Sequence, residues 1–243
     1  MDRDTQSIRV VPSRVLWVLL ATTGFLIIAG LGSQVLKFAT GHHRLYGLVP
    51  FFELQNEQGA GDFYSSTLML LAAGLLAVIA VLKRASNGPY TARWLVLSVG
   101  FLYLAIDEAS DLHALFSRPT AELLGSWAPG VFQWSWVIPG ILCVMLVGLF
   151  FVGFLKHLPV HSRTLFLVTG GLFVGGAIGI EMIGGTVAAQ YGQDTLTFGL
   201  IWALKESLEM LAMSVFVYAV LDYMMTSLGA IRIQFSKEPG PGE

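Results

Sequence analysis

Only one cysteine, Cys143, occurs among the 243 residues, so an intrachain disulfide is excluded and the redox compartment leaves no trace in the sequence. Charge is equally scarce. Charged residues make up 12% of the chain, about half of the roughly 25% typical of soluble domains. The net charge of −2 points neither toward nor away from nucleic acid, but with so few basic residues no nucleic-acid partner is expected. No polar stretch between Leu16 and Met225 is long enough to fold separately. The sequence contains no Ser/His/Asp constellation, phosphate-cradling loop, nucleotide motif or haem motif. His42, His43, His157 and His161 fall between the apolar runs and lack the spacing of a zinc site.

Apolar sequence takes the place of all this. Hydrophobic residues reach 55% and the mean hydropathy is +0.69. A helix crossing a bilayer needs about 20 mostly apolar residues, and six runs qualify: 16–38, 65–82, 94–116, 131–155, 164–183 and 196–225. The expected fold is all-α, a polytopic transmembrane helix bundle of about six spans with the lipid bilayer as its solvent. Residues 1–15 read as a cytoplasmic N-terminal segment, 16–226 as the membrane domain and 227–243 as a cytoplasmic tail. The tail composition (Ser236-Lys-Glu-Pro-Gly-Pro-Gly-Glu) suits disorder. Arg3, Arg9 and Arg14 precede the first run as in a signal peptide. That run is too long for a signal core and no small-x-small site closes it, which predicts an uncleaved span.

Lys and Arg set the orientation. Arg3, Arg9, Arg14, Lys83, Arg84, Arg93, Lys156, Arg163, Arg232 and Lys237 fall on one side, against Lys37, Arg44 and Arg118 on the other. Basic residues gather in the cytoplasm, so both termini are expected there. Trp17, Tyr90 and Trp94 would anchor the inner boundary and Tyr64, Trp127 and Tyr191 the outer one. In the first outer loop, residues 48–53 are apolar enough to lie on the bilayer or dip into it. Gly171, Gly175 and Gly179 repeat every four residues, a spacing that admits a neighbouring helix; further glycines on other faces predict a central position for this span. Pro139-Gly140 predicts a kink in the fourth span.

Acids inside the apolar runs carry the functional signal. Asp107, Glu108 and Asp111 lie in the third, Glu181 in the fifth, and Lys205, Glu206 and Glu209 in the sixth. An ionisable group in the hydrocarbon costs about 2.5–3.5 kcal/mol even on lenient scales, so it normally faces protein or a wet cavity. At ~100° per residue each acidic set occupies one helix face, and rise per residue places Glu108 and Glu206 at similar depth. His113 lies ~140° from Glu108 on an ideal helix, off that stripe, which argues against a histidine-rich zinc site. The six carboxylates outnumber the single Lys205 counter-charge. Either several carry protons, or a cation sits among them; carboxylate oxygens suit hard ions such as Mg²⁺, Ca²⁺, Mn²⁺ or Na⁺. The alternative is plain solvation at the outer surface, which applies best to Asp111 and Glu181.

Matched patterns recur at offsets of 97 (Thr67–Leu75 with Thr164–Leu172) and 98 (Ala105–Leu115 with Ala203–Met213). They suggest a 3+3 inverted repeat, which would pair Glu108 with Glu206 and Asp111 with Glu209. The segment 101–113 (Phe-Leu-Tyr-Leu-Ala-Ile-Asp-Glu-Ala-Ser-Asp-Leu-His), with Glu181-Met-Ile-Gly-Gly and Glu206-Ser-Leu-Glu-Met, resembles a group of bacterial multi-pass membrane proteins of unassigned function. That resemblance implies a bacterial inner membrane and names no activity. Where the group's pattern has a second acid after the histidine, this chain has Ala114.

Three functions fit these residues. The foremost is a small cation- or proton-coupled carrier of a small solute, in which Asp107, Glu108, Asp111, Glu181, Glu206 and Glu209 bind ions or protons. A divalent cation, if held, would engage Glu108, Asp111, Glu206 and Glu209. The second is a membrane-embedded enzyme doing metal-assisted or acid–base work on a lipid or isoprenoid. The third is an accessory subunit of an oligomer or membrane complex.

Overall fold

A computed structural model describes residues 10–41, 43–56, 58–125 and 130–229. Arg3, Arg9, His42, Trp127, Arg232, Lys237 and nearly all of the expected tail lie outside the described residues.

The described chain is all helix, with no strand. In hydrocarbon every backbone donor and acceptor must be satisfied internally, and the helix does this within one segment. The long helices are α1 (Pro12–Thr40), α3 (Ala60–Ala85), α4 (Thr91–Ser110), α6 (Val137–His157), α7 (Val160–Val174), α8 (Glu181–Tyr191) and α9 (Leu196–Tyr223). Two short helices, α2 (Leu48–Phe52) and α5 (Ser117–Leu124), lie in the connections. Local chemistry fixes the ends. Pro12 opens α1 at a position where its missing amide costs nothing. Gly41 closes it in the left-handed region and donates to Lys37 O. The Thr195 hydroxyl accepts from Phe198 N to cap α9.

Among the described residues, five helical segments are long and apolar enough to cross a membrane: α1, α3, α6, the continuous stretch Val160–Tyr191 and Leu196–Leu228. Large apolar side chains stand exposed along them, among them Val18, Ile28, Val81, Leu146 and Leu149, a surface that suits lipid rather than water. The third expected span does not meet the criterion. Its helix, α4, stops at Ser110 instead of running to Phe116 and carries Arg93, Asp107 and Glu108. Its 20 residues still extend about 30 Å, so charge rather than length sets it apart.

The buried centre belongs to α9 and α3, half of whose spanning windows or nearly so are inside the protein, against 22% for Val160–Tyr191. The glycine-rich helix is therefore peripheral, contrary to its expected central place. Pro139 lies in the first turn of α6, which begins at Val137; a proline there breaks no helical bond, so the expected kink disappears.

Polar side chains tie the helices in register. Ser66 donates to Ala105 O at 2.7 Å and Ser98 to Ala73 O at 2.8 Å, clamping α3 on α4. Thr23 and Ser214 share a hydrogen bond of 2.9 Å, and Tyr64 donates to Leu19 O, joining α1, α3 and α9. At the end where α4 begins and α9 finishes, Trp94 packs against Tyr223, Phe154 and Phe166 with ring centroids 4.7–6.2 Å apart. Trp94 is 1% exposed, a core plug rather than the expected interface anchor. The loop segment 48–53 folds back on the bundle: Val49 and Leu54 are buried, and Glu53 pairs with Lys37 at 2.8 Å.

Candidate functional site

At the opposite end, where α3 begins, α4 ends and α6 begins, the bundle opens a cleft of about 290 Å³. Asp62 from α3, Asp107 and Glu108 from α4, Glu181 from α8, and Lys205 and Glu206 from α9 line it. Asp111, His113 and Ser117 border it from the turn after α4, and Trp134, Trp136 and Trp202 supply aromatic walls.

Lys205 is the hub. Its ammonium donates to Glu206 Oε1 at 3.0 Å and lies 3.3 Å from Glu209 Oε1 and 3.9 Å from Glu181 Oε2. It also sits over the Trp202 ring, 4.9 Å from the centroid. Glu206 and Glu209 are 4% and 2% exposed, which removes both from bulk water. Glu181 is buried as well and accepts a 2.7 Å hydrogen bond from Trp136 Nε1. Solvation at the surface therefore does not describe Glu181; it does describe Asp111, whose side chain is 39% exposed.

Glu181 reaches Lys205 because the helix changes pitch before it. Residues Gly175–Ile180 form a π turn, whose i→i+5 bonding stacks residues five apart. Gly176 and Glu181 both face α9 as a result, whereas an unbroken α-helix would splay them by ~140°. A Cβ at Gly176 would lie 3.1 Å from Glu209 Cγ and 3.2 Å from Lys205 O. At Gly171, Gly175 and Gly179 it would meet nothing within 4 Å. The close approach thus runs through Gly176, not through the four-residue repeat.

A second group of acids meets across α3, α4 and α9. Asp62, Glu108 and Glu206 each offer an oxygen within 4.8 Å of the others. Two like charges at that distance repel by about 3.5 kcal/mol at an effective dielectric of 20, so the trio gathers repulsion that a positive species would relieve. Asp62 escapes the hydropathy pattern because the second apolar run begins at Ser65. The signal was nonetheless present: the buried stripe Ser65, Leu68, Met69, Ala72, Leu76, extended back one turn, lands on Asp62.

His113 also joins the cleft, contrary to its extrapolated position. Asp111 ends α4 in the left-handed region (φ 52°, ψ 43°), and beyond that point helical angles no longer apply. The turn swings the imidazole between two carboxylates, with Nδ1 3.0 Å from Asp107 Oδ2 and Nε2 3.0 Å from Asp111 Oδ1. Its ring lies 4.4 Å from that of Trp136. Burial depresses the His113 pKa, but the hydrogen bond to Asp107 and the charges of Asp107, Asp111 and Glu181 outweigh this and leave it raised. The pairing of Asp111 with Glu209 that an inverted repeat would impose has no counterpart in environment: one is a half-exposed helix terminator, the other a buried partner of Lys205.

Chemically, the cleft can bind positive species through carboxylates and move protons between acids that share partners. A family model described as Domain of unknown function (DUF8692) matches residues 14–223, and the chain belongs to that family. Comparison with curated proteins and with solved structures gave no match.

Proposed function

We propose that this member of the family is a small membrane carrier that binds a cation or protons in its acidic cleft and couples that binding to movement of a small solute. The observation that carries the proposal is the excess of buried carboxylate. Glu181, Glu206 and Glu209 gather around one ammonium, and Asp62 and Glu108 converge on Glu206 in the adjoining cleft. Intramembrane acids of this kind mark ion paths and proton relays. The aromatic plug around Trp94 at the other end supports access to the acids from the side of the cleft. The excess of Lys and Arg in the N-terminal segment, in the α3–α4 and α6–α7 connections and in the C-terminal segment favours cytoplasmic termini, in a bacterial inner membrane.

Proteoliposomes with an internal pH dye and an imposed pH or cation gradient test this. Ion movement above the rate of empty vesicles, lost in Glu206→Gln, is the expected result. Movement indifferent to both gradients, or unchanged in Glu206→Gln, removes the reading.

One observation favours a second function, a membrane enzyme acting on a lipid or isoprenoid. His113, held by two aspartates at the mouth of an aromatic-walled cleft, has the arrangement of a positioned acid–base group. Turnover of isoprenyl phosphate or short-chain phospholipid in mixed micelles, abolished in His113→Gln, would favour it; no turnover by wild-type protein would discard it.

A further inference from the structure

We propose that Asp62, Glu108 and Glu206 form the site of one hard divalent cation of Ca²⁺ size, for which Mn²⁺ serves as a spectroscopic probe. The inference rests on the reading of the cleft as a cation-binding site and names the ion class and its ligands. Three helices deliver one carboxylate each, with oxygens all within 4.8 Å of one another. A Ca²⁺ ion with bonds of about 2.3–2.6 Å bridges oxygens up to about 5 Å apart, whereas Mg²⁺ at about 2.0–2.1 Å bridges only about 4.2 Å. Three oxygens within that spacing lie at most about 2.8 Å from a common centre, close to the bond length of Ca²⁺ and well beyond that of Mg²⁺, so small side-chain adjustments suffice for one larger ion.

Glu206 provides an independent observation. It is 4% exposed. Its Oε1 is taken by Lys205 at 3.0 Å, while Oε2 is buried with no hydrogen-bond partner among the described residues. A buried carboxylate oxygen left bare is costly. A cation in the adjoining cleft supplies the missing partner, and about 290 Å³ leaves room for waters to complete six to eight ligands. The ligand set is all oxygen, which selects against soft metals. The nearby imidazole of His113 is already engaged by Asp107 and Asp111.

Full-length protein in detergent, stripped with EDTA, is titrated with Mn²⁺ followed by electron paramagnetic resonance and with Ca²⁺ by calorimetry. One ion per chain is expected, with Ca²⁺ and Mn²⁺ competing. Affinity falls at least tenfold in Asp62→Asn and in Glu206→Gln and is unchanged in Glu122→Gln, an exposed residue paired with Arg118. The inference is overturned if monodisperse, helical wild-type protein binds neither ion. It is equally overturned if both cleft variants bind as wild type does. Ion binding without flux would sink the carrier alone; proton-driven flux in stripped protein that binds no divalent ion would sink this site alone.

Discussion

Replacing Lys205 by methionine keeps most of the side-chain length and its apolar stem while deleting the ammonium that holds three carboxylates. At an effective dielectric of 20, attractions at 3.0, 3.3 and 3.9 Å amount to about 5.5, 5.0 and 4.3 kcal/mol before desolvation. Burying the ammonium and the acids offsets most of this sum. Breaking a buried network by removing one partner leaves a net loss of about 3–5 kcal/mol, and the contact with Trp202 adds up to about 1. Lys205→Met should therefore lower stability by about 4 kcal/mol, a large part of the 5–15 kcal/mol that holds a typical protein together. Unfolding in mixed micelles by SDS, followed by tryptophan fluorescence, measures it. The double variant Lys205→Met/Glu206→Gln should recover at least about 1 kcal/mol, because it removes one stranded charge. A loss below about 1 kcal/mol in the single variant would show that the ammonium is not what keeps these acids together, and the argument for a charge excess would fall with it.

Further outcomes follow from the same geometry. Gly176→Leu should cost about 1–3 kcal/mol by overpacking against Lys205 and Glu209, whereas Gly179→Ala, with open space around it, should be neutral or stabilising by up to about 1 kcal/mol; SDS unfolding of the two variants compares them. His113 has a raised pKa in the fold, from the charges of Asp107, Asp111 and Glu181 acting against burial. Its protonated form thus stabilises the protein fully below about pH 6.5, and that contribution disappears as pH rises through the folded value. The advantage of wild type over His113→Gln in thermal unfolding should therefore shrink from about pH 6.5 upward, and an advantage that grows with pH would contradict it. Lys37→Met leaves Glu53 buried without its 2.8 Å partner, so limited proteolysis between α1 and α3 should speed up, with stability lower by about 3 kcal/mol.

Hydropathy and periodicity are local properties, and whatever depends on them alone was legible in the sequence. The helical class, the approximate extent of most apolar runs and the presence of Glu108, Glu181, Glu206 and Glu209 within those runs needed no coordinates. Lipid forces the backbone into helix and makes an acid within an apolar run conspicuous. Tertiary structure decided which groups meet, because that depends on where helices stop and how their pitch changes. A left-handed residue at Asp111 turned His113 into the cleft, a π turn aligned Gly176 with Glu181, and α3, starting five residues before the predicted run, brought Asp62 to Glu108 and Glu206. The first two events leave no periodic trace, since each breaks the period from which a sequence is read; the third keeps the period of the α3 stripe but lies one turn outside the apolar run.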